Sequence, residues 1–471
     1  MKIKRFAAFL LALSMLAATA CGKETGTSVK TDSTETTVAE TSVDESPAST
    51  TSSEEQPKEE DDSWAEAIEN APVLSECMEN TLGCFAGCAV TGTELYDKKV
   101  WKIITTHFNR ITLGNELKPD ALFDYSNGTC PGTIETELNG ETITVPRLDF
   151  SRAEHLLDKI LEWNQENPDK EILVRGHVLV WHSQTPEWFF HVDYDKHNDY
   201  VDKDTMNKRL EWYISAVLSH FLSEDSKYKD MFYGWDVVNE AISDGNGGVD
   251  GLRTDAENSE SLSKDTHGSN SSWYHIYQSN EFIINAFKYA NKYAPADLEL
   301  YYNDYNECNV LKRQKILGLL TAIKEAEGEP GVGTRITAMG MQGHYGMDSP
   351  DAGTVNSSIK AYANIVGKVQ ITEMDITASS DYDGSEEAKI EENEKLRKRY
   401  NMIRFNIESA SKEENVEFEG ITFWGTVDHY SWLQSRSDVG GGSTTGLPQM
   451  PLLFDENYQP KPCFFVFAKE N

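Results

Sequence analysis

Along residues 64–471, eight apolar, β-branched runs alternate with amphipathic stretches of helical spacing, and that alternation predicts an α/β fold of the (β/α)8 TIM-barrel class. Two further observations support it. Nearly every run ends in polar or aromatic side chains, and in a parallel barrel all such ends open on one face. No glycine-rich phosphate turn follows any run, which counts against the alternative of an open doubly wound sheet.

The strand-like runs, in order, are "FAGCAV" (85–90), "RITLGN" (110–115), "ILVRGHVLVWH" (172–182) and "FYGWDVVNE" (232–240). They continue with "LELYYNDYN" (298–306), "ITAMGMQGHY" (336–345), "VQITEMDI" (369–376) and "ITFWGTVD" (421–428). Between them, "RAEHLLDKILEWNQ", "NEFIINAFKYANKY" and "LKRQKILGLLTAIKEA" carry apolar residues at the spacing of one helix face. The polar ends are Asn115 and Glu116; His177, Trp181 and His182; Asn239 and Glu240; Asn303, Asp304 and Asn306; Gln342 and His344; Glu373 and Asp375; Trp424 and Asp428. A carboxylate at the tip of a buried strand is costly unless it is hydrogen-bonded or used. One such end is the ordinary mark of a cap or a loop contact. Seven converging at one mouth point to a site.

The first 20 residues read as an export signal. Lys2, Lys4 and Arg5 precede the apolar "FAAFLLALSMLAATA", which is too short for a stable membrane span. Small residues lead directly to Cys21, a pattern similar to a bacterial lipoprotein signal in which that cysteine carries the lipid. An ordinary signal peptide with Cys21 incidental is the alternative. Either way the protein is expected outside the cell, anchored to the membrane through a lipid on Cys21 or secreted. Residues 21–63 are Ser, Thr and acidic residues with scattered Pro, a composition that cannot bury enough surface to order itself and reads as a disordered tether. The catalytic barrel is then expected over 64–471.

The net charge of -35 argues against nucleic acid, whose phosphates demand basic surfaces, and against anionic membranes or polyanionic substrates. A neutral polysaccharide raises no such objection. Beyond Cys21 six cysteines remain, an even number in an oxidising compartment, so disulfides and free buried thiols are both open. No cysteine or histidine spacing suits a metal, and neither metal nor cofactor is expected.

Glu240 and Glu373 each close a strand, with no Ser–His pair or phosphate loop beside them. Paired carboxylates among tryptophans suit glycosidic bond cleavage, since sugar faces stack on indole and the two carboxyls divide the work of acid and of nucleophile or base. The residues alone carry the reading to a glycosidase and leave the sugar open.

The segments "HFNRITLGNELKPD", "RGHVLVWHSQTPEWF", "WDVVNEA", "LYYNDYN", "GMQGHY", "ITEMDI" and "FWGTVDHYSW" closely resemble, in order, the signatures of glycoside hydrolase family 10. That family consists mostly of endo-β-1,4-xylanases on a (β/α)8 barrel. The resemblance covers about residues 80 to 468. It implies a retaining endo-β-1,4-xylanase acting on xylan and xylo-oligosaccharides. Glu240 then matches the acid/base, Glu373 the nucleophile and Asn239 the group that holds the 2-hydroxyl of the cleaved sugar. His344 and Asp375 match the pair that orients and charges the nucleophile, with Gln342 beside them. Asn115, Lys118, His177, Trp181 and Gln184 match contacts to the non-reducing-side sugars, and Trp424 and Trp432 the walls around the scissile unit. Taken singly, the three tryptophans could equally be barrel packing and His177 a core histidine, while Asn303 and Asp304 read as structural braces.

Two departures stand out. Gly114 occupies the place where the family commonly has Glu, so a contact to the second sugar is missing or comes from elsewhere, with Glu116 the candidate. Residues 127–146 and the stretch after the fourth strand look like long loops at the catalytic face. The rival readings are another retaining barrel glycosidase acting on β-glucan or mannan, and a non-catalytic glycan-binding lipoprotein. Binding needs neither carboxylate, which disfavours the latter. A monomer is expected.

Overall fold

The structure, a computed structural model, describes residues 63–245, 247–254, 271–435 and 447–469. The signal segment, Cys21 and the tether up to residue 62 lie outside the described residues, as does the middle of the stretch after the fourth strand.

Eight parallel strands close into a barrel. They are β1 (Phe85–Val90), β2 (Arg110–Leu113), β3 (Leu173–Gly176) and β4 (Phe232–Asn239). Then come β5 (Glu299–Asp304), β6 (Ala338–Met341), β7 (Lys368–Thr377) and β8 (Glu417–Phe423). Each pairs with its successor, and β8 returns to β1 with Phe85 opposite Gly420 and Cys88 opposite Phe423. Helices follow the strands, among them Ser151–Glu166, Lys203–Leu222, Glu281–Tyr293, Val310–Glu325 and Ala352–Val366. Their apolar faces supply the buried layer between helices and sheet, as the periodicity predicts. Two helices precede β1, Ser63–Asn70 and Leu74–Leu82, and bury Ile68, Leu74 and Met78 completely.

Two predicted strands are each broken in two, and the breaks build the site. The run 172–182 becomes β3 and a short strand, Val180–Trp181, that pairs with the end of β4 and sets Trp181 opposite Asn239. The run 336–345 becomes β6 and His344–Gly346, which pairs with β7 and sets His344 opposite Asp375. Between the latter pieces Gly343 takes φ +80°, and a Cβ there would stand 2.6 Å from Ile371 Cγ2. Only glycine turns the chain at that point without a clash.

The last strand begins earlier than predicted, because Glu417 and Glu419 alternate with buried Phe418 and Gly420. It ends at Phe423, where the Trp424 N–H bonds to Met374 O at 3.0 Å and Gly425, at φ +136°, turns the chain inward. Residues 127–146 are largely a hairpin, Thr133–Leu138 against Glu141–Pro146. Asn139 and Gly140, both at positive φ, make its turn. Among the described residues, the six cysteines form no disulfide with one another.

Candidate active site

The barrel interior beneath the mouth is polar. Arg175 Nε and Nη2 bond Asp236 at 3.0 and 2.5 Å, Nη1 bonds Gln370 at 2.6 Å, and the guanidinium lies 3.7 Å from the centre of the Tyr301 ring. Both charges of the pair are almost completely buried. Asp236 also bonds His177 Nδ1 at 2.9 Å, which turns the other ring nitrogen of His177 away from the pair.

One layer above, the two glutamates stand at the ends of β4 and β7. Glu373 is 5% exposed, and burial alone would raise its pKa. The His344 hydrogen bond at 3.2 Å, the charges of His177 and His344, and the Asn303 amide at 2.7 Å outweigh burial and hold it below the usual carboxylate range. His344 lies between two carboxylates, with Nδ1 2.9 Å from Asp375 and Nε2 facing Glu373. Burial works against its charge, yet Asp375 and Glu373 push its pKa up to about 10, so both ring N–H groups donate. Asp375 is fixed in turn by the Trp432 indole N–H at 2.7 Å.

Glu240 follows β4 directly and takes φ +55°, a left-handed conformation that costs a glutamate about 1–3 kcal/mol unless its surroundings impose it. Its Oε2 accepts from Trp181 Nε1 and its Oε1 from Gln342 Nε2, each at 2.9 Å. Two donors, one on the short strand beside β4 and one just after β6, thus aim the carboxyl across the mouth. Gln342 also reaches Asn239 Oδ1 at 3.2 Å, and Asn303 Nδ2 bonds both Asn239 Oδ1, at 2.9 Å, and Glu373. A continuous line of hydrogen bonds therefore runs Glu240–Gln342–Asn239–Asn303–Glu373. The register puts Asn239 opposite Asn303 on β5, which makes this line possible.

A second group lies beside them. The Lys118 ammonium bonds Asn115 Oδ1 at 3.2 Å and Gln184 Oε1 at 3.1 Å, 5.2 Å from the centre of the Trp181 ring. Burial pushes its pKa down, opposed by the charges of Glu373, Asp120, Glu240 and Glu116. Gln184 is oriented by Asp120 at 3.1 Å. Trp424 stands between His177 and His344, with ring centroids 5.7 and 6.2 Å away. Trp181, Trp424 and Trp432 are all half-buried, as platforms open to a ligand must be.

Most of the residues singled out in the sequence therefore meet at one mouth, whereas Asp428 pairs with Lys461 at 2.7 Å and Asn306 bonds Asp244 at 3.2 Å. Asn303, read as a brace, touches Glu373 directly. Asp304 does brace: it takes the Tyr302 hydroxyl at 2.5 Å and pairs with Lys312 at 2.9 Å. Glu116, the candidate to replace the Glu absent at 114, has each oxygen engaged by a backbone N–H, of Gly92 at 3.0 Å and of Asn115 at 3.2 Å. Arg253, which the sequence reading passed over in a polar insertion, donates to the backbone oxygen of Glu240 at 3.2 Å.

Residues 74–470 match glycosyl hydrolase family 10. The chain is 33% identical over 359 residues to the bifunctional endo-1,4-β-xylanase XylA of Ruminococcus flavefaciens, covering 76% of this chain and 30% of that protein. It is 34% identical over 292 residues to an endo-1,4-β-xylanase of Geobacillus stearothermophilus, covering 62% and 76%. Of the first curated relatives it matches, the chain spans about a third of the length, 30% or 31%. Among solved structures, the CBM22-1–GH10 modules of a Clostridium thermocellum endo-1,4-β-D-xylanase, complexed with xylohexaose, superpose with TM-score 0.65 at 29% identity, covering 85% of this chain and 68% of that one. A psychrophilic family 10 endo-β-1,4-xylanase gives TM-score 0.61 at 28% identity, with 85% and 100% covered. With the barrel, the two glutamates and the match over nearly all of the described residues, the chain belongs to glycoside hydrolase family 10.

Proposed function

We propose that the chain is a retaining endo-β-1,4-xylanase that cleaves internal bonds of xylan by double displacement and needs no cofactor. The observation that carries this reading is the asymmetry of the two carboxyls. Glu373 is kept ionised by a protonated His344, while Glu240 accepts neutral N–H bonds from Trp181 and Gln342.

In the first step a Glu373 oxygen attacks the anomeric carbon, and Glu240 gives its proton to the departing glycosidic oxygen. The product is a glycosyl ester on Glu373. In the second, Glu240, now a carboxylate, takes a proton from water, and the water oxygen displaces Glu373 from the same carbon. Two inversions leave the configuration retained. Lys118, Asn115 and Gln184 offer a linked set of donors and acceptors for the sugar hydroxyls on the non-reducing side, and the tryptophans offer faces for the rings. The kinship with xylanases, one of them solved with xylohexaose, supports xylan as the polymer.

The protein would act as a monomer, held outside the cell by a lipid on Cys21. The basic start, the apolar run and the small residues before that cysteine support this placement. Product analysis on xylan, carboxymethylcellulose and mannan side by side tests the activity. Release of xylo-oligosaccharides from xylan alone is expected, and preferential release from either of the other polymers would overturn the reading.

A further inference from the structure

The turn that carries Glu240 is held by groups with no place in the chemistry described above. At Glu240 the chain leaves β4 in a left-handed conformation, which the side chain itself does not favour. The Glu240 N–H bonds Asn303 O at 2.9 Å, so the residue enters the turn still tied to β5. The next two N–H groups, of Ala241 and Ile242, both donate to one atom, the hydroxyl oxygen of Tyr302, at 3.1 and 3.2 Å. That hydroxyl donates to Asp304, and Asp304 is neutralised by Lys312.

Tyr302 and Asp304 are 0% exposed and Lys312 is 2% exposed. Burying three polar groups together is costly unless each is satisfied, and this chain is satisfied only when the turn is in place. From the other side, Arg253 Nε takes the Glu240 carbonyl at 3.2 Å, and its Nη2 bonds Tyr305 at 3.1 Å. Arg253 is returned to this position by pairing of Ile242 with Leu252 and by its own N–H to Ala241 O at 2.8 Å.

We propose that Tyr302 and Arg253 are positioning residues for the acid/base: between them they fix the backbone from Glu240 to Ile242 so that the carboxyl reaches the glycosidic oxygen. The inference rests on the assignment of Glu240 as acid/base in the xylanase reading above. A residue one bond too loose keeps its proton but loses its aim. Among the described residues, the side chains bonded to Glu373 are those of Asn303 and His344, not Tyr302 or Arg253, so the nucleophile's own attack should be spared.

The test compares Tyr302→Phe, Arg253→Met and Arg253→Lys with wild type on xylotetraose and on 2,4-dinitrophenyl β-xylobioside. The first substrate needs leaving-group protonation and the second hardly at all, and kcat/KM reports the glycosylation step for both. Tyr302→Phe and Arg253→Met should lose at least about tenfold on xylotetraose, part of the roughly 100- to 10,000-fold a placed proton donor contributes. On the aryl substrate kcat/KM should hold within about twofold, with a burst of dinitrophenol because the base of the second step is also misaligned. Arg253→Lys should recover part of the loss, since an ammonium can still donate to the Glu240 carbonyl.

Equal losses on both substrates, or no loss on either, would overturn the inference. A wild type inactive on xylotetraose would instead overturn the functional reading. Should Tyr302→Phe fail to fold, the Arg253 pair decides alone, because that side chain is only half-buried.

Discussion

Trp432 donates its indole N–H to Asp375, and Asp375 holds His344, which in turn holds Glu373. A residue placed by resemblance on the wall of the cleft is therefore also the outermost link of the support of Glu373.

Trp432→Phe separates the two roles, because it keeps an aromatic face and removes only the N–H. Loss of one hydrogen bond to a charged group, worth about 1.5–3 kcal/mol, should lower kcat on xylo-oligosaccharides by roughly tenfold or more. If Trp432 were a platform alone, KM would rise and kcat would stay. Steady-state kinetics on xylotetraose decide between them, with melting temperature as a check that the fold persists.

Replacement of the two glutamates should give opposite stereochemistry. Glu240→Ala loses protonation and the second-step base, so an aryl xylobioside should show a burst, and azide should restore turnover with a β-glycosyl azide as product. Glu373→Ala should be nearly inactive on every substrate, and azide entering from its vacated side should give the α product. Azide products of one anomeric form from both variants would remove double displacement altogether.

His344 links the site to the alkaline limit of stability. Its pKa rises from 6.5 to about 10 on folding, so the folded chain binds that proton more tightly. The resulting stabilisation is complete below about pH 6.5 and is lost as pH climbs towards about 10. Between those limits the melting temperature of wild type should fall more steeply than that of His344→Asn. Other alkaline transitions are common to both proteins and cancel in the difference. Parallel curves across pH 6.5–10 would show that the imidazolium is not retained in the folded state.

Truncation should distinguish the tether from the body. A chain starting at Ser63 should keep full specific activity on soluble xylan. Removal through Leu82 takes away Ile68, Leu74 and Met78, each fully buried and each worth about 1.5–3 kcal/mol, and should abolish the cooperative thermal transition.

Much of this architecture is legible in the sequence because barrel strands buried on both faces are continuous apolar runs, and their catalytic ends break that pattern with polar residues. β1 and β4 were visible to within a residue for that reason. β8 was not, since Glu417 and Glu419 disguise its first half. The hairpin at 133–146 was overlooked although Asn139-Gly140 between alternating residues is a strong local signal. At the site, the polar and aromatic strand ends that line the mouth stand out by type and place. Residues that act through others do not. Asn303 was assigned to bracing because an amide at a strand end has several uses, and only the register opposite Asn239 shows which one applies. Tyr302 sits within a strand-like run and Arg253 within a polar stretch, and hydrogen bonds to the backbone leave no trace in composition.

The Arg175–Asp236 pair in the barrel interior also bears on how this protein can change over generations. Removing one member leaves an uncompensated charge in a closed space, at a cost of about 3–5 kcal/mol, while replacing both with apolar groups that fill the same volume can be nearly neutral. Asp236 is also tied to His177, so even the paired exchange would release a residue of the mouth above it. Neither position can drift alone, and drift of both would also free the His177 ring to reorient. The barrel floor is therefore a place where descendants of this sequence are held to their ancestor's choice.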